Sequence, residues 1–244
     1  MAETSGTLYI VATPIGNMED MSYRAVRILS EVEALACEDT RVTKNILHRY
    51  EISFPAHIFS YHEHNELRAA DKIIELLKTG QDVALCTDAG NPGVSDPGYR
   101  AIAKARELDL PVDVIPGPSA VTTALLASGL PTSSFLFKGF PPRKEGQRQR
   151  FLEPEKELPH TLIFFESKHR IVKFLGSALT VLGNRQCAVC IELTKKFEQV
   201  VRGYLTEVID TLNKTNIKGE ITVVIAGNHP KFIAEENPAE PDDE

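Results

Sequence analysis

The sequence has 244 residues, of which 42% are hydrophobic and 25% are charged, and its formal net charge at pH 7 is −7. These proportions are typical of a globular protein, and the negative charge argues against a protein that coats nucleic acid nonspecifically. No apolar run approaches the roughly 18 residues of a membrane span, and no basic region precedes the first apolar stretch, as a signal peptide would require. We therefore expect a cytoplasmic protein without membrane segments.

The first half of the chain alternates short apolar runs with helical patterns. The predicted strands are TLYIVAT, EALAC, HIFSY, DVALCT and VDVIP, and helices such as SYRAVRILSEV and NELRAADKIIELLKTG lie between them. Asp39 and Asp96 are interpreted as possible N-caps, the second followed by proline at the first helical position. Strands that alternate with long helices indicate a mostly parallel sheet covered on both faces.

The second half is predicted to hold a mixed sheet. The turns IPGPSA and SGLP indicate a boundary near residues 117–131, and the strands SFLFKGF, TLIFFES, AVCIEL, QVVRGYL and EITVVIAG follow. The short link TKKFE between two of them favours an antiparallel pair. We thus predict two α/β domains, 6–117 and 118–232, followed by a disordered acidic tail, 233–244.

Five unusual loops follow the five strands of the first half. Because ligands of open α/β sheets gather outside the carboxyl ends of the strands, these loops are expected to form one rim. They are TPIGNMED (13–20), CEDTR (37–41), SYHEHNE (60–66), DAGNPGVSDPG (88–98) and PGPSA (116–120).

The composition of the rim restricts the ligand. The sequence has no GxGxxG after the first strand, no GxxxxGK[ST] and no HExxH. Cys187 and Cys190 form a CxxC inside a strand, where alternation sends the two side chains to opposite faces, so no metal is expected. What remains is a glycine-rich, mostly neutral pocket with carboxylates nearby, which suits a cationic or zwitterionic ligand with an adenosine-like body.

The motifs TPIGN, EDTR, SYHEHNE, DAGNPGVSDPG, PGPSA, SGLP, GFPPRK, FFESKHR, ELTKKFE and KGE occur in that order. In this order they resemble the bacterial 16S ribosomal RNA ribose 2′-O-methyltransferase I family, within the tetrapyrrole methylase superfamily of S-adenosylmethionine-dependent enzymes. The resemblance covers about nine-tenths of the chain. It implies a homodimer of two-domain α/β chains that bind S-adenosyl-L-methionine in the cleft between the domains. The implied acceptor is a cytidine ribose of 16S rRNA in the small ribosomal subunit.

The resemblance also implies a set of donor-binding residues. In the first half they are Pro14, Gly90, Asn91, Val94, Ser95, Ser119 and Ala120, and in the second half Phe165, Glu166, Gly219 and Glu220.

Methyl transfer from a sulfonium needs alignment of acceptor and donor, and a weakly nucleophilic hydroxyl needs a base. The candidates at the rim are Glu38, His62, Glu63, His64 and Asp88. We favour Glu63 and His62 near the acceptor, with Asp88 between acceptor and donor.

The cations expected to hold RNA phosphates are Arg41, Arg143, Lys144 and Arg170, together with His64. Arg148 and Arg150 extend the densest basic segment, PPRKEGQRQR, and are further candidates. The chain departs from the family pattern at Lys168, which replaces a usual proline, and at Ile191, which replaces a common arginine. Many family members also have a C-terminal extension thought to help bind RNA, whereas this sequence ends with the acidic segment. The change at Ile191 and the missing extension concern RNA contact rather than the methyltransferase core.

Two alternatives stay open. One is a sister activity of the superfamily, methylation of a corrin or porphyrin carbon or of a modified protein residue. The other is a protein that holds the donor or RNA without turnover. Loss of DAGNP or PGPSA would be the signature of such a binding protein, and both motifs are present.

Overall fold

The computed structural model describes residues 5–234. The chain divides into two compact units, which meet in sequence between Ala120 and Val121. Each unit contains one five-stranded sheet. The acidic tail predicted for 233–244 lies outside the described residues from position 235 onward.

The sheet of the first unit is entirely parallel. Its strands have the order β3-β2-β4-β1-β5; they are β1 (Leu8–Val11), β2 (Ala34–Cys37), β3 (His57–Ser60), β4 (Val83–Cys86) and β5 (Val112–Ile115). The connections carry α1 (Tyr23–Glu31), α2 (Thr40–Arg49), α3 (Glu66–Lys78) and α4 (Tyr99–Glu107). One apolar cluster packs α3 and α4 on one face of the sheet, and another packs α1 and α2 on the other face. The predicted α/β class and parallel sheet are confirmed.

The N-cap predicted at Asp39 is confirmed, whereas the one predicted at Asp96 is wrong. The Asp39 carboxylate accepts the backbone N–H of Arg41 at 2.8 Å, at the start of α2. Helix α4 begins only after Gly98. The N–H of Gly93 donates to the Pro97 carbonyl at 3.2 Å, so the loop closes on itself before the helix begins.

The sheet of the second unit is mixed, as predicted. Its strands have the order β6-β7-β10-β8-β9; they are β6 (Phe135–Phe137), β7 (Thr161–Ser167), β8 (Gln186–Ile191), β9 (Gln199–Tyr204) and β10 (Glu220–Ile225). The pair β6–β7 is parallel, and the other pairs are antiparallel, including β8–β9 across the TKKFE link. The helices are α5 (Ala120–Ser128), α6 (Glu145–Leu152), α7 (Ile171–Leu182) and α8 (Leu205–Asn213).

Helix α6 was not predicted, because its sequence EGQRQRFL has no apolar stripe. A buried arginine stabilises it instead. Arg148 is 6% exposed, and its guanidinium donates to the Ser177 hydroxyl at 2.9 Å and to the Arg143 carbonyl at 3.0 Å. Arg148 is therefore not available for an RNA phosphate, and its interpretation as a candidate phosphate contact is wrong.

The described cysteines are buried and have free thiols, among them Cys187 and Cys190 on β8. Within residues 5–234, none of the helices has both the length and the apolar character that a membrane crossing requires.

Candidate active site

The carboxyl ends of three strands lie side by side at the centre of the parallel sheet. Strand β4 lies between β2 and β1, and Cys37 at the end of β2 is in register with Cys86 at the end of β4. The chain therefore leaves β2 and β4 at the same level, and the loops that follow them are neighbours. This is the edge at which open α/β sheets bind ligands.

The loops after β1 and β4 are tied together through Thr13 and Gly90. The N–H of Thr13 donates to the Gly90 carbonyl at 2.9 Å, and the N–H of Gly90 donates to the Thr13 carbonyl at 3.0 Å. Gly90 has a φ of +76°, which glycine adopts without steric cost. Pro14, which is buried, directly follows Thr13. The predicted donor contacts Pro14 and Gly90 are therefore brought together.

The loops after β4 and β5 are joined by Asn91. Its side-chain amide donates to the Pro118 carbonyl at 3.0 Å. This bond sets the DAGNP segment against PGPSA. The other predicted donor contacts of the first unit lie along these two loops and are partly or fully exposed: Val94, Ser95, Ser119 and Ala120.

The loops after β2 and β4 bring carboxylates together. The Asp88 carboxylate accepts the backbone N–H of Asp39 at 3.0 Å. The N–H of Asp88 in turn donates to the Glu38 carboxylate at 3.4 Å. Asp88 and Glu38 are both half-buried. The structure thus assembles an acidic pair next to the glycine-rich loop.

The acids of this group have different proton affinities. Burial raises the pKa of Asp88 and of Glu38, and the charge of Asp88 further raises the pKa of Glu38. Asp39, by contrast, forms an ion pair with Arg41 at 2.6 Å, and hydrogen bonds from Arg41 lower its pKa to about 2. Asp88 and Glu38 are therefore the better proton acceptors near neutral pH.

His62 interacts electrostatically with Glu38 of this acidic pair, whereas Glu63 does not bond to the pair. The charge of His62 opposes the effect of burial and lowers the pKa of Glu38. The His62 ring atom Nδ1 is buried and has no hydrogen-bond partner among residues 5–234. Glu63 and His64 are exposed, and in the same part of the chain Glu63 makes no hydrogen bond or ion pair with Glu38 or Asp88.

Tyr61 and Glu66, in the same motif as His62, anchor the far end of the β4 loop. The buried Tyr61 hydroxyl donates to the Glu66 carboxylate at 3.2 Å and accepts the N–H of Ala101 at 3.2 Å. Glu66 also accepts the N–H of Gly98 at 3.3 Å and the Arg100 guanidinium at 3.2 Å. Sequence reasoning missed both residues; their place in SYHEHNE was the available signal.

In the second unit, the predicted donor contacts meet where β7 ends and β10 begins. Glu220 is in register with Ser167, the residue after Glu166. Gly219 has a φ of +84°, and a Cβ atom there would lie 2.0 Å from the Glu192 carboxylate. That carboxylate accepts the N–H of Glu220 at 3.0 Å. Only glycine leaves room for this contact.

Phe165 belongs to an aromatic group at the same end of the sheet. Its ring centroid lies 4.8 Å from that of Phe137 and 5.6 Å from that of Phe140. Phe140 is 58% exposed. The group offers an apolar surface for a planar ligand.

Glu166 and Arg170 form a buried ion pair. The Glu166 side chain has 0% exposure and lies 3.1 Å from Arg170 Nη2, whose side chain is 25% exposed. Glu166 Oε1 also accepts the N–H of Ser167 at 2.7 Å, and Arg170 donates to the Pro141 carbonyl. Burial raises the pKa of Glu166, and the charge of Arg170 opposes this shift.

The remaining cations predicted to contact RNA are exposed. Arg143 and Lys144 precede α6 and form no ion pair within the described ranges, while the exposed Arg41 is paired with Asp39. Among the residues that the structure describes, no group of three or more His, Cys, Asp or Glu side chains is arranged to hold a metal ion.

Residues 7–209 match the family of tetrapyrrole (corrin/porphyrin) methylases. Two curated proteins named ribosomal RNA small subunit methyltransferase I are close in sequence. The one from Halalkalibacterium halodurans is 46% identical over 234 residues, which cover 96% of this chain and 80% of the relative. The one from Bacillus subtilis is 44% identical over 231 residues, which cover 95% of this chain and 78% of the relative.

Solved structures share the fold at low sequence identity. A diphthine synthase has a TM-score of 0.70 at 15% identity, covering 91% of this chain and 90% of its own. The uroporphyrin-III C-methyltransferase of Thermus thermophilus, solved in complex with S-adenosylhomocysteine, has a TM-score of 0.61 at 22% identity, covering 91% and 97%. These similarities agree with the two α/β sheets described above.

Proposed function

This chain belongs to the tetrapyrrole (corrin/porphyrin) methylase family, and we propose that it is an S-adenosylmethionine-dependent methyltransferase that modifies small-subunit ribosomal RNA. Relatives that share nearly half of its residues over most of their length are named ribosomal RNA small subunit methyltransferase I. We further propose the finer assignment, 2′-O-methylation of a cytidine ribose in 16S rRNA. A ribosomal substrate also supports a cytoplasmic location.

The rim of the first unit has the chemistry that this donor requires. A sulfonium is cationic, and the rim places the half-buried carboxylates of Asp88 and Glu38 beside a neutral, glycine-containing loop. The paired Thr13 and Gly90 backbones and the Asn91 bond fix the shape of that loop. Residues of this unit proposed to hold the donor are Pro14, Gly90, Asn91, Val94, Ser95, Ser119 and Ala120.

In the second unit, Phe165, Gly219 and Glu220 remain proposed donor contacts. The Glu166 side chain is already engaged by Arg170 and Ser167. We therefore assign any donor contact of Glu166 to its backbone.

Bound S-adenosylmethionine supplies an electrophilic methyl group. The protein has to orient the ribose hydroxyl and accept its proton as the new bond forms. We assign proton acceptance to Asp88, because burial raises its pKa and its carboxylate is held by the Asp39 N–H. We propose that His62 holds the acceptor; a ring nitrogen, Nδ1, that has no hydrogen-bond partner among the described residues supports this role. Glu63, exposed on the same loop, is proposed to contact the RNA further out.

The grouping of Asp88, Glu38 and His62 beside the Gly90 loop is the observation that carries this function. The test incubates the protein with tritiated S-adenosylmethionine and small ribosomal subunits from a strain lacking this activity, followed by nuclease mapping. Label on one cytidine ribose is expected. Tight donor binding by calorimetry without labelled RNA would instead favour a tetrapyrrole or protein acceptor, and donor binding without any acceptor would favour a non-catalytic binding protein.

We also propose that the protein is a homodimer. Strand β6 lies at the edge of its sheet and exposes Phe135 (43%) and Leu136 (36%), surfaces that favour association. Light scattering of the purified chain measures the mass directly, and a monomeric mass at micromolar concentration would reject the dimer.

A further inference from the structure

The second unit contains a pocket of about 500 Å³ beside the loop that joins β8 to β9. Ile191 and Ile217 supply apolar lining and also pack against the core of this unit. Gln199 and Asn216 add two side-chain amides to the lining. Phe197 lines the pocket and is 71% exposed. The pocket thus combines an apolar interior, amide groups and an exposed aromatic ring.

Two lysines beside this pocket have no carboxylate partner among the described residues. Lys218 lines the pocket and is exposed, and the ammonium group of Lys196 lies 5.6 Å from the centroid of the Phe197 ring. Neither lysine has a carboxylate partner in the described ranges. The acidic residue of the lining, Glu192, shares the ammonium group of Lys195 with Glu220, at 2.9 Å from each carboxylate.

These groups match the chemistry by which proteins bind single-stranded RNA. Unpaired bases stack on aromatic rings, side-chain amides hydrogen bond to the base edges, and lysines contact the phosphates. A lone exposed phenylalanine is ordinary on a protein surface. Here, however, it stands at the mouth of a nucleotide-sized pocket with two unpaired lysines beside it.

We propose that this pocket binds an unpaired nucleotide of the RNA substrate. Phe197 stacks on the base, Gln199 and Asn216 hydrogen bond to its edge, and Lys196 and Lys218 contact the adjacent phosphates. The inference rests on the proposed function, because it assumes an RNA substrate. It adds a recognition site that none of the predicted RNA-binding residues includes.

The test measures KM for small ribosomal subunits and KM for S-adenosylmethionine separately. Replacing Phe197 with alanine should raise KM for subunits roughly 5- to 150-fold, the loss typical of one stacked base. KM for the donor and the melting temperature should stay unchanged, because the ring is largely exposed. F197W should restore subunit binding, since an indole also stacks.

A matched control exists in the same unit. The ammonium group of Lys231 also lies 5.6 Å from the ring of its sequence neighbour, Phe232, but Phe232 is not part of the pocket lining. F232A should leave KM for subunits unchanged. The double variant K196Q/K218Q should lower the slope of log affinity against log salt by about 1.4, as expected for two lost contacts to a single strand.

The outcomes separate this inference from the proposed function. Normal methylation of subunit RNA by F197A with an unchanged KM would overturn the pocket assignment alone. Equal losses in F197A and F232A would also overturn it, because the effect would not depend on the pocket. If the unmodified protein labels no RNA at all, both the function and the pocket assignment fail.

Discussion

The backbone N–H of Asp88 donates to the Glu38 carboxylate at 3.4 Å and so joins residues that follow two neighbouring strands. The register of β2 and β4 brings these residues side by side, because both strands end at the same level of the sheet. Burial raises the pKa of both acids. The pKa values of these two carboxyl groups are therefore closer to neutral pH than those of exposed carboxyl groups, which makes them better proton acceptors.

Asp88→Asn should lower kcat by about 10²- to 10⁴-fold, the usual contribution of a general base. Folding should not suffer at pH 7. Because the pKa of Asp88 is raised on folding, its contribution to stability falls as pH rises from the ordinary pKa to the raised one. The amide carries no charge and still accepts the Asp39 N–H. Single-turnover tritium transfer and thermal unfolding measure the two quantities.

The control for this change is Asp210→Asn, because Asp210 is an exposed acid on α8. This substitution should change neither kcat nor the unfolding temperature. A variant of Asp88 that unfolds at lower temperature but keeps full specific activity would give Asp88 a structural role only.

Arg41→Ala should raise the pKa of Asp39 from about 2 toward its ordinary 3.8. The lowered pKa means that Asp39 contributes stability above pH 3.8, and that this contribution is lost as pH falls through about 2. Without Arg41 this contribution should become smaller, because the pKa of Asp39 then lies closer to its ordinary value. The same charge lowers the pKa of Asp88, so the acidic limb of the activity profile should also move to higher pH. Carbon-13 NMR of the carboxyl groups follows Asp39 directly. An unshifted Asp39 resonance would show that the ion pair does not hold in solution.

The alternation of strands and helices was enough to predict the parallel sheet, its strand-end loops and the mixed second sheet. It did not reveal which polar residues of a loop turn inward. In SYHEHNE, residue type alone favours His62 and Glu63, because histidine and glutamate are common catalytic residues. The structure shows that Tyr61 and Glu66 anchor a neighbouring loop. Such partners lie more than thirty positions apart in the chain, as Glu66 and Gly98 do, and local patterns contain no information about them.

Tyr61→Phe tests that anchoring role. The change leaves the buried N–H of Ala101 without its acceptor, which should cost about 1–3 kcal/mol of unfolding free energy. The loop that holds Gly90 should also lose its fixed end, so KM for S-adenosylmethionine should rise several-fold while KM for RNA stays constant. Urea unfolding and donor titration measure both effects.

Tyr9→Phe is the matched control, because the Tyr9 hydroxyl has no hydrogen bond among the described residues. It should be neutral in both assays. If Tyr61→Phe destabilised the fold but left donor affinity unchanged, Tyr61 would stabilise the unit without positioning the loop.

The sequence also did not show which basic side chains of a charge run face solvent. Arg143, Arg148 and Arg170 look alike as cations near proline turns. Their environments differ because Arg148 and Arg170 find buried partners, Ser177 and Glu166, whereas Arg143 is exposed. Whether a basic side chain faces solvent or the protein depends on tertiary neighbours, which composition does not reveal.

Arg170 and Arg143 should therefore respond differently to alanine. Arg170→Ala leaves the Glu166 carboxylate buried without its cation and should destabilise the second unit by roughly 2–4 kcal/mol, somewhat below the full range for breaking a buried pair because Arg170 is partly exposed. Arg143→Ala should leave the melting temperature unchanged and raise KM for small subunits, with a shallower dependence on salt. Arg170→Ala combined with Glu166→Gln should recover much of the lost stability, because the buried charge is removed. If that double variant is stable and still binds subunits weakly, Arg170 contacts RNA in addition to holding Glu166; if it binds them normally, the role of Arg170 is confined to the ion pair.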